Sequence, residues 1–280
     1  MNILGPDYLV FGVDDLAGCR QFLLDYGLRE QENGFFSALD GTGVLLRERD
    51  DPSLPETLRR DREVKLGADG VLRCVDDAGF ALGFRVSQRQ PLQREGEKIN
   101  APGDHAGRPV NQTGASADMA AEPRSLSHVV YFVPDAARAE AFYQRLGFVC
   151  TDRFTHVGPF LRPAGTQDHH TLFLIQAPPF MTGIEHFTFH LGGPTELMMA
   201  GSRFQQKGYQ TFWGPGRHQL GSNWFWYFNS PLGCHIEYDA DMDQHDDHWQ
   251  PREALPGADN SQYFLLGYRE KWAPGPDNAR

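Results

Sequence analysis

Two widely separated stretches, DYLVFGVDDLAGCRQFLLDYGL from residue 7 and SHVVYFVPDAARAEAFYQRLGF from residue 127, follow one pattern in one register. Each reads as a β-branched and aromatic strand, an acidic helix start, an amphipathic helix and a closing glycine. Tyr8 and Phe22 stand 14 positions apart, as do His128 and Phe142, and Tyr8 to Gly27 matches His128 to Gly147 at 19. A third copy opens at GIEHFTFHLGGPTELMMAGSRFQQKGYQ, residues 183–210, where a strand carrying His186 precedes a helix that closes near Gly208. Strand-turn-strand segments recur as well, VDDAGFALGF at 75–84 and NSPLGCHIEY at 229–238. A repeated module of roughly 50 residues cannot bury its apolar face alone and must pack against its copies. The expected fold is therefore α+β: paired βαβββ modules forming two open, barrel-like domains, with helices outside and clefts within.

Residues 89–124 are polar and rich in Gly, Pro and Ala, with no apolar period, and read as a linker. They separate an abbreviated N-terminal domain, residues 1–88, from a C-terminal domain, residues 125–240, followed by a tail over 241–280. A length of 280 residues suits such a pair, and 40% apolar and 12% aromatic content supplies real cores.

A formal charge of -11 argues against a nucleic-acid partner, because phosphate-backbone binding needs clustered Lys and Arg. The N-terminus lacks the basic and apolar regions of a signal peptide, and no run reaches the roughly 18 apolar residues of a membrane span. Four isolated cysteines without a CxxC pair suit a reducing compartment. The expectation is a soluble, cytoplasmic protein without a membrane partner, assembling as a homo-oligomer.

Ten of the eleven histidines follow residue 127, and only His105 precedes it. Imidazole chemistry thus belongs to the second half. His128 and His186 sit at similar places in two repeated first strands, and Glu237 lies in a late strand between Ile236 and Tyr238. A carboxylate so placed is costly to bury without a partner. Because strand side chains alternate between faces, one residue per strand can enter a shared cleft. Two His and one carboxylate from three strands match the ligand set of non-haem Fe(II) sites with open positions, so Glu237 is expected to face a metal ion. Taken alone, His128 reads better as a strand histidine bonded to its surroundings than as a ligand; the three together favour ligation. The N-terminal unit has Tyr8 and Gly83 at the matching places and is expected to bind no metal.

This layout resembles the vicinal oxygen chelate superfamily, and within it the type I extradiol catechol dioxygenases. LSHVVYF and IEHFTFH are similar to the family's two histidine-ligand strands, and GRH, Tyr227 and Glu237 follow its spacing through the Pro231-x-Gly233 turn. DHHTLFL resembles the strand carrying the family's acid–base histidine, with His170 as the match. The resemblance implies ring cleavage of a small aromatic diol by O2, with Fe(II), or alternatively Mn(II), on His128, His186 and Glu237. It further implies that His170 handles protons while Tyr227 and His218 hydrogen-bond the diol. Tyr227 also reads as a core residue and His218 as a turn residue.

By strand alternation His170, Leu172 and Leu174 are expected on one face, with His169 and Phe173 on the other, so His169 is read as structural. His190, four positions past His186, reads either as a partner of the ligands or as a packed histidine. His245 and His248 stand in acidic, solvated sequence and are not expected to bind metal. Trp213, Trp224, Trp226 and Phe180 read as barrel core with one or two residues lining a pocket.

The sequence departs from the family pattern after GRH, where Gly221-Ser222 replaces an Asp-His pair, and at Trp226 and Ser230. Two other functions stay open: a metal-dependent isomerase or lyase of the same superfamily, and a non-catalytic module holding an aromatic ligand.

Overall fold

The computed structural model describes residues 3–51, 65–103 and 107–266. The first repeat folds as β1 (Tyr8–Val13), α1 (Leu16–Tyr26), β2 (Arg29–Glu30), β3 (Phe35–Ser37) and β4 (Gly43–Glu48). These strands form a sheet in the order β1-β4-β3-β2, with β1 and β4 parallel. The opening N-terminal module is thus a complete βαβββ unit. Three short strands follow as a separate sheet: β5 (Lys65–Leu66), β6 (Leu72–Val75) and β7 (Ala81–Phe84).

The second half holds two further modules. One comprises β8 (Ser125–Val133), α2 (Ala136–Arg145), β9 (Phe148–Phe154), β10 (Gly158–Pro163) and β11 (Leu172–Gln176). The other comprises β12 (Gly183–His190), α3 (Pro194–Gln206), β13 (Thr211–His218), β14 (Trp224–Asn229) and β15 (His235–Ala240). Helix α2 begins on the expected acidic residue, an Asp135 cap that accepts from Arg138 N, whereas α3 begins on Pro194 in its first turn with no side-chain cap.

The segment expected as a tail contributes more than that. β16 (Arg252–Ala254) and β17 (Gln262–Leu265), with the short α4 (Ala258–Ser261) between them, add an edge strand at each end of one sheet. Its order is β16-β9-β10-β11-β8-β12-β15-β14-β13-β17. Among the described residues the sheet is open, not a closed barrel. Its centre is the antiparallel pair β8–β12, where the two modules meet.

Residues 89–124 carry no helix or strand among their described residues, yet they are fastened to the second half. Glu97 accepts from Thr195 N at 2.8 Å, and Arg203 donates to the carbonyls of Met119 and Ala117. One apolar core runs through both halves, with Phe11, Phe22 and Tyr26 packed among Phe187, Phe189, Phe204 and Tyr238. On the other flank Phe80 stacks on Tyr131 and the Tyr143 hydroxyl donates to Asp76.

The tryptophans divide. Trp226 is buried against α3, where a side chain at Gly201 would collide with its ring, so the glycine makes the close approach possible. Phe180 is 86% exposed and belongs to no core, contrary to expectation. Among the described residues no helix is long and apolar enough to cross a membrane.

Candidate metal centre

Sheet register brings the three expected ligands together. β8, β12 and β15 are neighbours, and Thr188 on β12 pairs with His128 on one side and Glu237 on the other. His186 lies two positions before Thr188, on the same face by strand alternation. His128 Nε2 is 3.1 Å from Glu237 Oε2, His186 Nε2 is 3.4 Å from that oxygen, and the two Nε2 atoms are 3.3 Å apart. Ligands at right angles around an ion, each about 2.1 Å from it, lie about 3 Å from one another. The donor set and its spacing therefore fit a divalent metal. Among the described residues, this is the group of three or more His, Cys, Asp or Glu with that capacity.

Glu237 is fully buried, and its Oε1 makes no hydrogen bond among the described residues; His218 Nε2 stands 3.5 Å from it. Burial raises the carboxyl pKa, but His128, His186 and His218 outweigh that effect and hold it well below the usual range. The group is a carboxylate. Thr188 Oγ1 donates to Glu237 Oε2 at 2.5 Å and lies 3.0 Å from His128 Nε2, so a threonine occupies the middle of the triangle's backing strand.

Each ligand histidine has an outer carboxylate. His186 Nδ1 bonds Glu185, which also meets His235 Nδ1 at 3.0 Å. A bulge brings Glu185 there: Ile184 pairs with Tyr131 and His186 with Val130, leaving Glu185 extra. Burial opposes the charges of this pair, but they sustain each other, with Glu185 lowered to about 2 and His186 raised to about 9. His128 Nδ1 bonds Ser127 Oγ at 2.9 Å, and Ser127 donates to Asp239 at 3.0 Å. His190 Nδ1 reaches the other oxygen of Asp239 at 2.5 Å, so His190 is a partner of the ligand network. Such partners turn Nε2 inward and fix the tautomer.

His170, His218 and Tyr227 line the same cavity as His128 and His186. His218 Nε2 is 3.2 Å from the Tyr227 hydroxyl, and its Nδ1 is 3.3 Å from Ser261 O, so His218 is a fixed cavity residue. The His170 ring centre lies 4.2 Å from that of His128.

The expected face assignment around His170 fails. β11 begins only at Leu172, and His169 and His170 precede it in a bend, where strand alternation does not apply. Phe173 and Ile175 share the cavity with His170, whereas Leu172 and Leu174 join the main core. His169 turns back to His170, Nδ1 to Nδ1 at 2.9 Å, and its Nε2 meets Asp152 at 2.8 Å.

The protons in this chain follow from the charges. Burial pushes the Asp152 pKa up, yet bonds from His169 and Arg252 bring it down to about 2, so it is an acceptor. His169 then donates from Nε2. Burial lowers its pKa, so its Nδ1 is a lone pair that accepts from His170 Nδ1–H. Burial, with His128 next, keeps the His170 pKa well below its usual value, leaving a neutral ring with a lone pair on Nε2.

The Gly221-Ser222 departure lies against this chain. Gly221 has φ +84°, and a Cβ there would stand 3.0 Å from His169 Nδ1. Ser222 Oγ donates to Asp243 at 2.7 Å, and Gly221 O accepts from Asp243 N. His245 is stacked on Trp249 at 3.9 Å and is half-buried, while His248 is exposed; neither joins the three ligands. In the first half, Tyr8 lies under Arg85 and against Phe35, and a Cβ at Gly83 would meet Val71 at 3.1 Å. His105 lies outside the described residues.

Sequence reasoning missed Thr188, Glu185, Asp152 and Asp239. The last two are charged residues inside apolar strands, the same signal that singles out Glu237.

Comparison with known proteins agrees with this architecture. Residues 125–238 match the family model described as Glyoxalase/Bleomycin resistance protein/Dioxygenase superfamily. A curated relative, "Metapyrocatechase 2" of Cupriavidus necator, is 36% identical over 158 residues, covering 56% of this chain and 46% of that protein. The match thus spans less than half of that relative's length. Among solved structures, an Mn(II)-bound glyoxalase from Novosphingobium aromaticivorans superposes with a TM-score of 0.71 at 23% identity, covering 95% of this chain and 92% of that one. A 2,2',3-trihydroxybiphenyl 1,2-dioxygenase from Sphingomonas wittichii gives 0.66 at 18% identity, covering 96% and 100%. The structural matches establish the shared fold, and the match to the family model is confined to residues 125–238.

Proposed function

We propose that this chain is an extradiol dioxygenase that cleaves the ring of a catechol-type diol with O2, using Fe(II) on His128, His186 and Glu237. The observation that carries this reading is the convergence of three ligand atoms from His128, His186 and Glu237, with His170 lining the cavity that the two histidines share. The resemblance to a metapyrocatechase supports it. When bound, the ion supplies Lewis acidity that lowers a diol hydroxyl's pKa, and the redox chemistry that O2 requires. His170 Nε2 takes a proton from the diol and later returns it. Tyr227 and His218 hydrogen-bond the diol oxygens and orient the ring. The three ligands belong to residues 125–240, with Ser261 beyond them lining the cavity, and residues 1–88 serve as a metal-free buttress joined through residues 89–124.

A second reading is a metal-dependent isomerase or lyase, with the ion, Mn(II) included, acting only as a Lewis acid. The glyoxalase neighbour and the Gly221-Ser222 departure favour it. Metal analysis of protein purified without chelators, followed by oxygen uptake against a catechol panel, separates the two. Oxygen consumption with appearance of a ring-opened product supports cleavage. A metal-loaded protein that consumes none moves the second reading ahead.

A further inference from the structure

The cavity beside the three ligands has walls of a different character from its floor. Val130, Phe154, Phe160, Phe173 and Leu220 form an apolar cluster separate from the main core, with Ile175 packed against it. All six line the cavity. Phe160 and Phe173 stack with ring centres 3.9 Å apart, and Phe154 meets Phe160 edge-on at 5.6 Å, making a rigid aromatic wall. Among the described residues lining the cavity there is no Lys or Arg, and the acidic one is Glu185.

We propose, resting on the catechol reading above, that the site selects uncharged catechols bearing an alkyl or aryl substituent and rejects those bearing a carboxylate. Three oxygens and nitrogens of the ligand set account for the diol end. The substituent must then lie along the apolar cluster, where hydrocarbon gains by leaving water. A carboxylate in the same place loses its hydration and meets no Lys or Arg, only the apolar cluster.

The test uses the full-length, metal-loaded protein and two diols matched in shape, 4-isobutylcatechol and 4-carboxymethylcatechol, with the 3-substituted pair beside them. Binding is measured without oxygen through the fluorescence of Trp213, which lines the cavity, and kcat/KM is measured in air. The alkyl member is expected to exceed its acid by roughly 100-fold or more in both readouts, the scale of an unpaired buried charge. The half-buried Ile175, exchanged as Ile175→Lys, gives the wall a cation and should shrink that ratio at least about tenfold, mainly by improving the acid. An unfolded Ile175→Lys leaves the wild-type ratios to decide. Equal or better use of the acid by the wild-type protein overturns the proposal while leaving ring cleavage intact. Failure to consume oxygen with any of the four diols overturns the catechol reading itself, and anaerobic binding then still reports the charge preference of the cavity.

Discussion

Tyr26 and Tyr238 lie flat against one another, ring centres 4.1 Å apart and planes 8° from parallel, and their hydroxyls tie the N-terminal module to the strand of Glu237. The Tyr26 hydroxyl donates to Glu237 O, and the Tyr238 hydroxyl donates to Tyr26 O at 2.7 Å. All four groups are buried, so each bond satisfies a carbonyl or hydroxyl that water cannot reach. Helix α1 of the first repeat thus holds the backbone of a candidate ligand from behind.

Tyr26→Phe removes one of those bonds and should cost about 1 kcal/mol of stability. It should also weaken metal binding, because the freed carbonyl belongs to Glu237 itself. Tyr238→Phe removes the bond to Tyr26 and should match the stability loss with a smaller effect on metal. Urea unfolding and metal titration of both variants check this. Equal metal affinities across both variants and the parent would show that the contact is structural only.

His170→Phe should retain metal and diol binding while turnover falls by about 10²–10⁴-fold, the usual cost of losing a general acid–base group. His169→Phe, which strand alternation would make harmless, should now cost about 10–100-fold, the scale of removing a partner that fixes a working imidazole. The pH dependence of kcat distinguishes it from mere destabilisation. Without the bond to His169, His170 is free to place its proton on either nitrogen, and the acid limb of the profile should move. An unchanged profile with lowered melting temperature would return His169 to a structural role.

What the residues reveal before folding, and what they hide, divides along a physical line. The equal spacings from Tyr8 and His128 survive because each module must bury the same faces, and they locate β1, α1, β8 and α2. The candidate ligands are legible for a related reason, since charged or polar groups inside apolar strands need partners. Thr188 is not legible, because a threonine in a strand is ordinary and only the pairing of β8, β12 and β15 makes it central. Glu185 depends on a bulge, and His169 on where β11 begins; both are decided by pairing across the sheet. QYFLL near the C-terminus has a strand's composition, but only the free edge of β13 makes it β17.

Asp152 should be one source of acid sensitivity, beside Glu185 and Glu237, which folding also depresses. Its pKa is about 2 in the folded chain against an ordinary 3.8, because the bonds from His169 and Arg252 overcome the effect of burial. A carboxyl depressed on folding stabilises the protein above its unfolded pKa, and that contribution drains away as pH falls through the folded value. The loss should therefore run from about pH 4 down to about pH 2. Asp152→Asn, less stable than the parent at neutral pH, should show a shallower decline over that window. Urea midpoints measured across it test the sign, and parallel declines would assign the acid sensitivity to other carboxyls.

Glu237→Gln tests the centre itself. The amide keeps the shape of the side chain but removes the negative charge that compensates a divalent ion, and it presents an N–H donor toward Thr188 or His128 in place of a lone pair. Metal affinity should fall by more than the roughly 10–100-fold that accompanies loss of an outer partner. His245→Ala and His248→Ala should leave it unchanged, since one ring is stacked on Trp249 and the other is exposed. The parent chain should bind one ion, because Tyr8 packs under Arg85 and Gly83 carries no side chain where the other half has His128 and Glu237. Elemental analysis and competition with a metal indicator report both quantities on the same samples. Two ions per chain would break the asymmetry between the halves. An equal loss in the Glu237 and His245 variants would place the ion elsewhere. Retention of metal by Glu237→Gln with lost turnover would leave the two histidines as the anchor and make the carboxylate a catalytic group, shifting the proton chemistry away from His170.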